Sequence, residues 1–369
     1  MRAVSGTVQH ESLITADRKR GSRGQRRFGR PVAGSLALLA AVKLAMAVGA
    51  PGEPPASAAT APADSAQAPA PATPNALRVA LGQRLFFDPI LSNDRTVSCA
   101  SCHKPEHAFA DSQVVSAGVD GKLGTRNTPT VMNTSGRTML FWDGRAETLE
   151  DQAIFPIENP VEMNLPIAEA LARLNGDTTY FAQFQAAYGA PATARTLGRA
   201  LAAYQKTLDT TSSPYDRYSH GDDGAISESA RRGRLLFIGR AKCADCHSGE
   251  DFTSDRLRNI GLYDGKELND RGRGAVTQRS ADDGLFKVPS LRNVAVTAPY
   301  MHNGMFSTLR EVIDYYDSPD KFVPDAKGRD VSMNANLHLT EQEKLDLEAF
   351  LEALTDDRFA AALSQRTPR

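Results

Sequence analysis

Two pentapeptides, Cys99-Ala-Ser-Cys102-His103 and Cys243-Ala-Asp-Cys246-His247, stand 144 residues apart and contain all four cysteines of the chain. In a C-x-x-C-H motif both thiols lie beside one porphyrin edge, where each adds across a vinyl group, and the adjacent imidazole reaches the iron. The rival chemistries are a redox dithiol, a zinc ribbon built from both pairs, or two disulfides. A redox dithiol has no use for a following histidine, and both pairs have one. A four-cysteine zinc site has a shorter gap between its pairs. The motifs therefore read as attachment sites for two covalently bound c-type haems, with His103 and His247 as iron ligands.

The elements that must hold these motifs read as helices. Thr148 is placed to cap a helix over Leu149–Ile154, and Leu197, Leu201, Tyr204 and Leu208 fall at helical spacing. Leu235 and its neighbours carry a helical pattern into the second motif. Thr340-Glu-Gln-Glu343 is a capping box that opens a helix through Leu354, with Leu347, Phe350, Leu351 and Leu354 as its buried face. Strand alternation never lasts more than a few residues. The expected fold is mainly α: two cytochrome c-like haem domains over residues 77–220 and 221–360, with a tail over 361–369.

Composition sets the outer limits. A chain of 369 residues with 41% apolar and 24% charged residues suits two packed domains. A net charge of −1 offers no basic field for nucleic acid. That charge is uneven, because residues 1–30 hold eight Arg/Lys against Glu11 and Asp17, which leaves −7 on the rest. An apolar run from Val32 to Val48 follows and ends in small residues. Residues 1–47 thus read as an export signal to the periplasm, or as a membrane tether if uncleaved. Residues 48–76 are Ala/Pro-rich, with seven prolines between Pro51 and Pro74, and read as a disordered linker.

From Ala80 to Leu354 the chain resembles the diheme cytochrome c peroxidases, and more closely their MauG-like branch. The resemblance is carried by Leu85-Phe-Phe-Asp-Pro-Ile-Leu91, both haem motifs, Gly124-Thr-Arg-Asn-Thr-Pro-Thr130 and Phe141-Trp-Asp-Gly-Arg-Ala146. Asp151-Gln152-Ala153, Val161-Glu-Met163, Pro289-Ser-Leu-Arg-Asn293 and Val296-Thr-Ala-Pro-Tyr-Met-His-Asn-Gly304 complete it in order. The resemblance makes the His103 haem the peroxidatic one, with Glu162 and Gln152 in its distal pocket. A carboxylate suits that place because cleaving a peroxide O–O bond needs a proton moved between the oxygens. Alone, Glu162 reads as a solvated carboxylate and Trp142, the single tryptophan, as a core aromatic. The resemblance places Trp142 between the haems as an electron relay. It also implies a calcium site at Asn127, Thr297 and Pro299, whose oxygens suit a hard cation.

Two departures mark the branch. Many relatives have a histidine about 16 residues after the first iron ligand that caps the peroxidatic iron; Val119 stands there in this chain. His107 is the rival sixth ligand nearby. For the second haem, Tyr316 stands where those relatives have an axial methionine, with Met301 and Met305 as alternatives. Leu309, Val312, Ile313 and Tyr316 share one helical face, while Tyr315 falls on the face of Glu311. The implied activity is the cleavage of hydrogen peroxide at the first haem, with oxidising equivalents passing through Trp142 to the second. The electrons come from a partner: a client protein under maturation, or, in a cytochrome c peroxidase proper, a small cytochrome or cupredoxin. A third reading is a non-enzymatic diheme electron carrier.

Overall fold

The computed structural model describes residues 73–210, 212–333 and 335–366. The export signal over 1–47 and nearly all of the 48–76 linker lie outside these residues. Helix α1 (Pro74–Phe87) starts inside the stretch assigned to the linker. Thr73 caps it by accepting from Ala76 N–H, and Pro74 suits a first turn whose N–H groups have no helical partner. The helix buries Leu81, Leu85 and Phe86 and leads to α2 (Cys99–Cys102), the first haem motif. Short helices α3 (Leu149–Gln152) and α4 (Phe155–Glu158) precede α5 (Ile167–Gly176), α6 (Thr178–Tyr188) and α7 (Ala194–Gln205).

The second half repeats this plan. After α8 (Pro214–Ser219), α9 (Glu228–Ile238) leads to the second motif, and α10 (Arg273–Thr277), α11 (Leu309–Asp317), α12 (Glu341–Glu352) and α13 (Ala360–Arg366) follow. Among the described residues the only ladder is the two-residue antiparallel pair β1 (Leu257–Arg258) and β2 (Phe286–Lys287), with Leu257 opposite Lys287. The expectation of a mainly helical chain is met.

In each half the helix before the motif crosses a later helix at a glycine. A Cβ on Gly82 of α1 would lie 1.9 Å from the Ala200 carbonyl oxygen of α7. A Cβ on Gly233 of α9 would lie 1.8 Å from the Asp346 carbonyl oxygen of α12. Only a residue without a side chain lets the backbones approach this closely. Around the first crossing a core gathers Leu85, Phe86, Leu174, Phe184 and Leu201; around the second, Phe237, Phe252, Leu347, Phe350 and Leu354.

A second repetition, not visible as sequence identity, lies 160 residues apart. Leu140 bridges Ala146 and Tyr300 bridges Phe306, each around a turn with a left-handed glycine, Gly144 (φ +65°) and Gly304 (φ +66°). Thr148 then caps α3 and Thr308 caps α11. By this register Asn127 corresponds to Lys287, Trp142 to His302, and Pro129 to Pro289.

Several expectations need correction. The Thr148 helix ends at Gln152, because the α4 turn begins within three residues. The capping-box helix ends at Glu352, and Leu354 is buried just beyond it. The helical pattern around Leu235 is met by α9, which buries Ala230, Gly233 and Phe237 and leaves Leu235 exposed. The tail includes the helix α13, whose Ala362 and Leu363 pack on the first core.

Candidate functional site: two clefts and a shared wall

Each C-x-x-C-H motif lies on the wall of its own cleft. The first holds about 1850 Å³ and the second about 1810 Å³ of atom-free space, counted out to the mouth and including open solvent. Both are open clefts lined mainly by apolar side chains, the usual make-up of a site for an organic cofactor. Among the described residues no cluster of three or more His, Cys, Asp or Glu gathers as a metal site, so the cysteines form no zinc ribbon. Nor are they disulfide-bonded.

Both histidines are held alike. His103 Nδ1 lies 3.1 Å from the Phe109 carbonyl, and His247 Nδ1 lies 3.0 Å from the Phe252 carbonyl. Phe109 and Phe252 both adopt left-handed backbone (φ +57° and +53°), which turns each carbonyl onto its imidazole. With Nδ1 committed, Nε2 is left for iron, as in metal sites whose histidines are oriented from behind. Burial keeps both rings neutral, pushing His103 down and His247 down to about 4. Burial also holds the four thiols protonated, with Cys99 and Cys243 pushed up to about 12. Paired thiols and a neutral imidazole on one wall of a roomy cleft fit a covalently attached haem.

The first cleft gathers the residues expected to be distal. Gln152, the last residue of α3, and Glu162, in the loop after α4, both line it. Asn159 shapes that loop: its backbone carbonyl accepts from Glu162 N–H, and its Nδ2 donates to Glu162 Oε1 at 2.6 Å. Desolvation raises the Glu162 carboxyl above the usual range, against the lowering effects of Asn159 and Arg145. A carboxyl whose proton affinity is raised in this way suits proton shuttling. Val119 lies in the core behind the cleft and donates its N–H to the Glu162 carbonyl at 2.9 Å. His107 ends a single turn away from the lining residues. Among the described residues His103 is therefore the sole histidine on this wall.

The second cleft is lined by Leu309, Val312, Ile313 and Tyr316, the helical face that the sequence pattern predicts. Tyr315 departs from expectation. It is fully buried, packs on Phe306 and Phe322, and donates its hydroxyl to the Ile260 carbonyl at 2.5 Å. The reason is the turn after α11, which folds Phe322 back over that face. Met301 also lines the cleft, whereas Met305 is exposed and lies beside Asn303.

Between the clefts runs a shared wall that includes Asn127, Pro129, Trp142, Lys287 and Pro289. Trp142 Nε1 donates to the Asn127 carbonyl at 2.8 Å. The Trp142 carbonyl accepts from Lys287 N–H at 2.7 Å, and the His302 carbonyl accepts from Asn127 N–H at 2.8 Å. In the 160-residue register these two bonds are reciprocal. Arg126 clamps the same turn, donating twice to Asp270 (2.6 and 2.8 Å) and once to Asp143 (2.7 Å). His302 stacks on Phe286 with centroids 3.7 Å apart and meets Trp142 edge-on; burial lowers it to about 4. Sequence reasoning gave no role to Lys287, His302 or Asn159; His302 stands inside the Val296–Gly304 segment, and the other two belong to no spaced motif.

Asn127, Thr297 and Pro299 all border the second cleft. Asn127 Nδ2 donates to the carbonyls of Gln113 and Val114, which frees its Oδ1. Among the described residues no hydrogen bond reaches the backbone carbonyls of Thr297 or Pro299. Oxygens of these kinds are those a hard cation takes.

The family described as "Di-haem cytochrome c peroxidase" matches residues 76–224. The chain is 40% identical over 300 residues to the methylamine utilization protein MauG of Methylorubrum extorquens, covering 80% of this chain and 82% of that one. It is 35% identical over 339 residues to the cytochrome-c peroxidase IdrP1 of Pseudomonas sp. (strain SCT), covering 81% and 88%. A crystal structure of a MauG-like protein associated with microbial copper homeostasis superposes with a TM-score of 0.69 at 34% identity, covering 79% and 93%.

Proposed function

The chain belongs to the di-haem cytochrome c peroxidase family, whose members are haem-dependent oxidoreductases, and from that premise we propose that it is a MauG-like enzyme that uses hydrogen peroxide to oxidise a partner protein. The observation that carries this reading is Tyr316, which lines the second cleft from α11. A phenolate partner stabilises oxidised iron, where a thioether raises the potential. Tyr316 in that place would suit a haem used to hold oxidising equivalents more than one used to donate electrons. Met301 on the same cleft favours a second reading, a cytochrome c peroxidase drawing electrons from a small cytochrome or cupredoxin.

Each domain, 77–220 and 221–360, holds one haem through Cys99, Cys102 and His103 or through Cys243, Cys246 and His247. Bound haem supplies an iron that binds and cleaves peroxide and holds oxidising equivalents. The chain supplies the rest. Glu162 takes the proton from the near peroxide oxygen and returns it to the leaving one. Gln152 hydrogen-bonds the substrate. Trp142, on the wall common to both clefts, carries electrons between them. Asn127, Thr297 and Pro299 hold a calcium ion that stiffens this wall. A periplasmic location fits the haem chemistry and the basic, then apolar N-terminus. Among the described residues no helix is long and apolar enough to cross a membrane.

The test mixes ferric protein with one equivalent of peroxide and then offers it either reduced cytochrome c or a co-encoded protein. The proposal expects a spectral change at both haems, followed by slow turnover with cytochrome c and a covalent change in the client. No spectral change with peroxide leaves only an electron carrier. Rapid turnover with cytochrome c and an unaltered client gives the peroxidase proper.

A further inference from the structure

Lys287 sits at the end of β2, its N–H bonded to the Trp142 carbonyl at 2.7 Å, and it is a lining residue of both clefts. Among the described residues no hydrogen bond or ion pair reaches its Nζ. The carboxylate that most favours its charge, Asp255, is bonded to Arg137 at 3.2 Å. Burial pushes the ammonium down to about 8, so it still carries its charge at neutral pH. A half-buried ammonium with no protein anion beside it favours a ligand that brings one. The protein does not supply the anion, but the ligand that fits these clefts does, since each haem carries two carboxylates.

The 160-residue register gives a second, independent indication. Lys287 occupies in the second half the place that Asn127 occupies in the first, each bonding the other half's turn through its backbone N–H. At the Asn127 position oxygen atoms suit a bound cation; at the Lys287 position the cation is the side chain itself. The common wall thus has two places for positive charge, both on residues hydrogen-bonded to Trp142.

We propose that Lys287 is the counter-charge for a haem carboxylate at the common wall, and that it raises the reduction potential of the electron path beside Trp142. The inference rests on the reading that both clefts hold haem. A fixed cation in a poorly screened site stabilises the reduced, less positive state of a neighbouring redox centre.

The test uses the full chain carrying K287M, with K287R beside it. Haem is counted first, by the pyridine haemochrome assay on wild type; a wild type without two c-type haems overturns the haem reading itself. Spectroelectrochemical titration then compares ferric/ferrous midpoints. The expected result is that K287M shifts the equilibrium of at least one haem tenfold or more towards ferric, a fall of 59 mV for one electron, while K287R shifts it less than threefold. A shift below tenfold in K287M overturns the proposal, as does a K287R that shifts threefold or more. If K287M is not recovered with two haems, K287Q is judged by the same limits.

Discussion

The indole of Trp142 donates to the backbone carbonyl of Asn127, 2.8 Å away, on the wall shared by the two clefts. One bond therefore fixes both the ring proposed as relay and the residue proposed as calcium ligand. Trp142→Phe keeps an aromatic ring but leaves that carbonyl unpaired. The expected loss of stability is about 1 kcal/mol, read as a fall in Tm of a few degrees. In peroxide stopped-flow the first haem should still respond and the second should not. An equal response at both haems in the variant removes Trp142 from the path.

Glu162→Gln should slow the peroxide reaction by roughly 10²–10⁴-fold, the usual worth of a placed proton carrier, with both haems retained. Asn159→Ala, which releases Glu162 Oε1, should cost about tenfold and move the pH profile upward, because that bond holds the carboxyl lower than burial alone would. Stopped-flow rates against peroxide concentration check both.

The same carboxyl makes a stability prediction of definite sign. Its folded pKa is raised by burial, so between the unfolded value and the raised one the folded state binds more protons. Stability associated with Glu162 is then full below the unfolded pKa and declines as pH climbs through the folded pKa. Glu162→Gln should therefore raise Tm at pH 7 relative to wild type and leave it unchanged near pH 3. A variant no more stable at pH 7 contradicts this.

Tyr316→Phe should alter the low-spin spectrum of the second haem, whereas Met301→Leu should leave it unchanged. Electron paramagnetic resonance of the ferric proteins distinguishes the two. The reverse pattern assigns the ligand to Met301 and favours the peroxidase proper.

Gly82→Ala and Gly233→Ala each force a methyl group to within 2 Å of a helix carbonyl oxygen. Overpacking of this kind costs about 1–3 kcal/mol or more, and helix backbone cannot yield as a flexible side chain would. Thermal melts should drop by several degrees, and each variant should disturb chiefly the haem of its own half. A substitution that leaves Tm unchanged would falsify the close crossing at that glycine.

What the sequence disclosed depended on how local the signal was. Cys99, Cys102 and His103 are fixed by covalent spacing, and the face of Leu309, Val312, Ile313 and Tyr316 by helical period, so both were legible. Tyr315 was not, because its burial is decided by Phe322 in the turn beyond the helix. The helix at Leu235 was legible but the face it buries was not, because α9 meets α12 through Gly233. Lys287 and His302 acquire their neighbours only when residues 286–302 fold against residues 127–142. No periodicity within either segment announces that pairing.

The reciprocal bonding of the two turns makes each half depend on the other. The first cleft takes Lys287 and Pro289 into its wall, residues far along the chain from the first motif. Without the second half that cleft lacks one side. A fragment stopped near residue 224 would keep the first motif yet have no partner for the Trp142 carbonyl, so cutting the gene at its apparent midpoint would not yield two independent cytochromes.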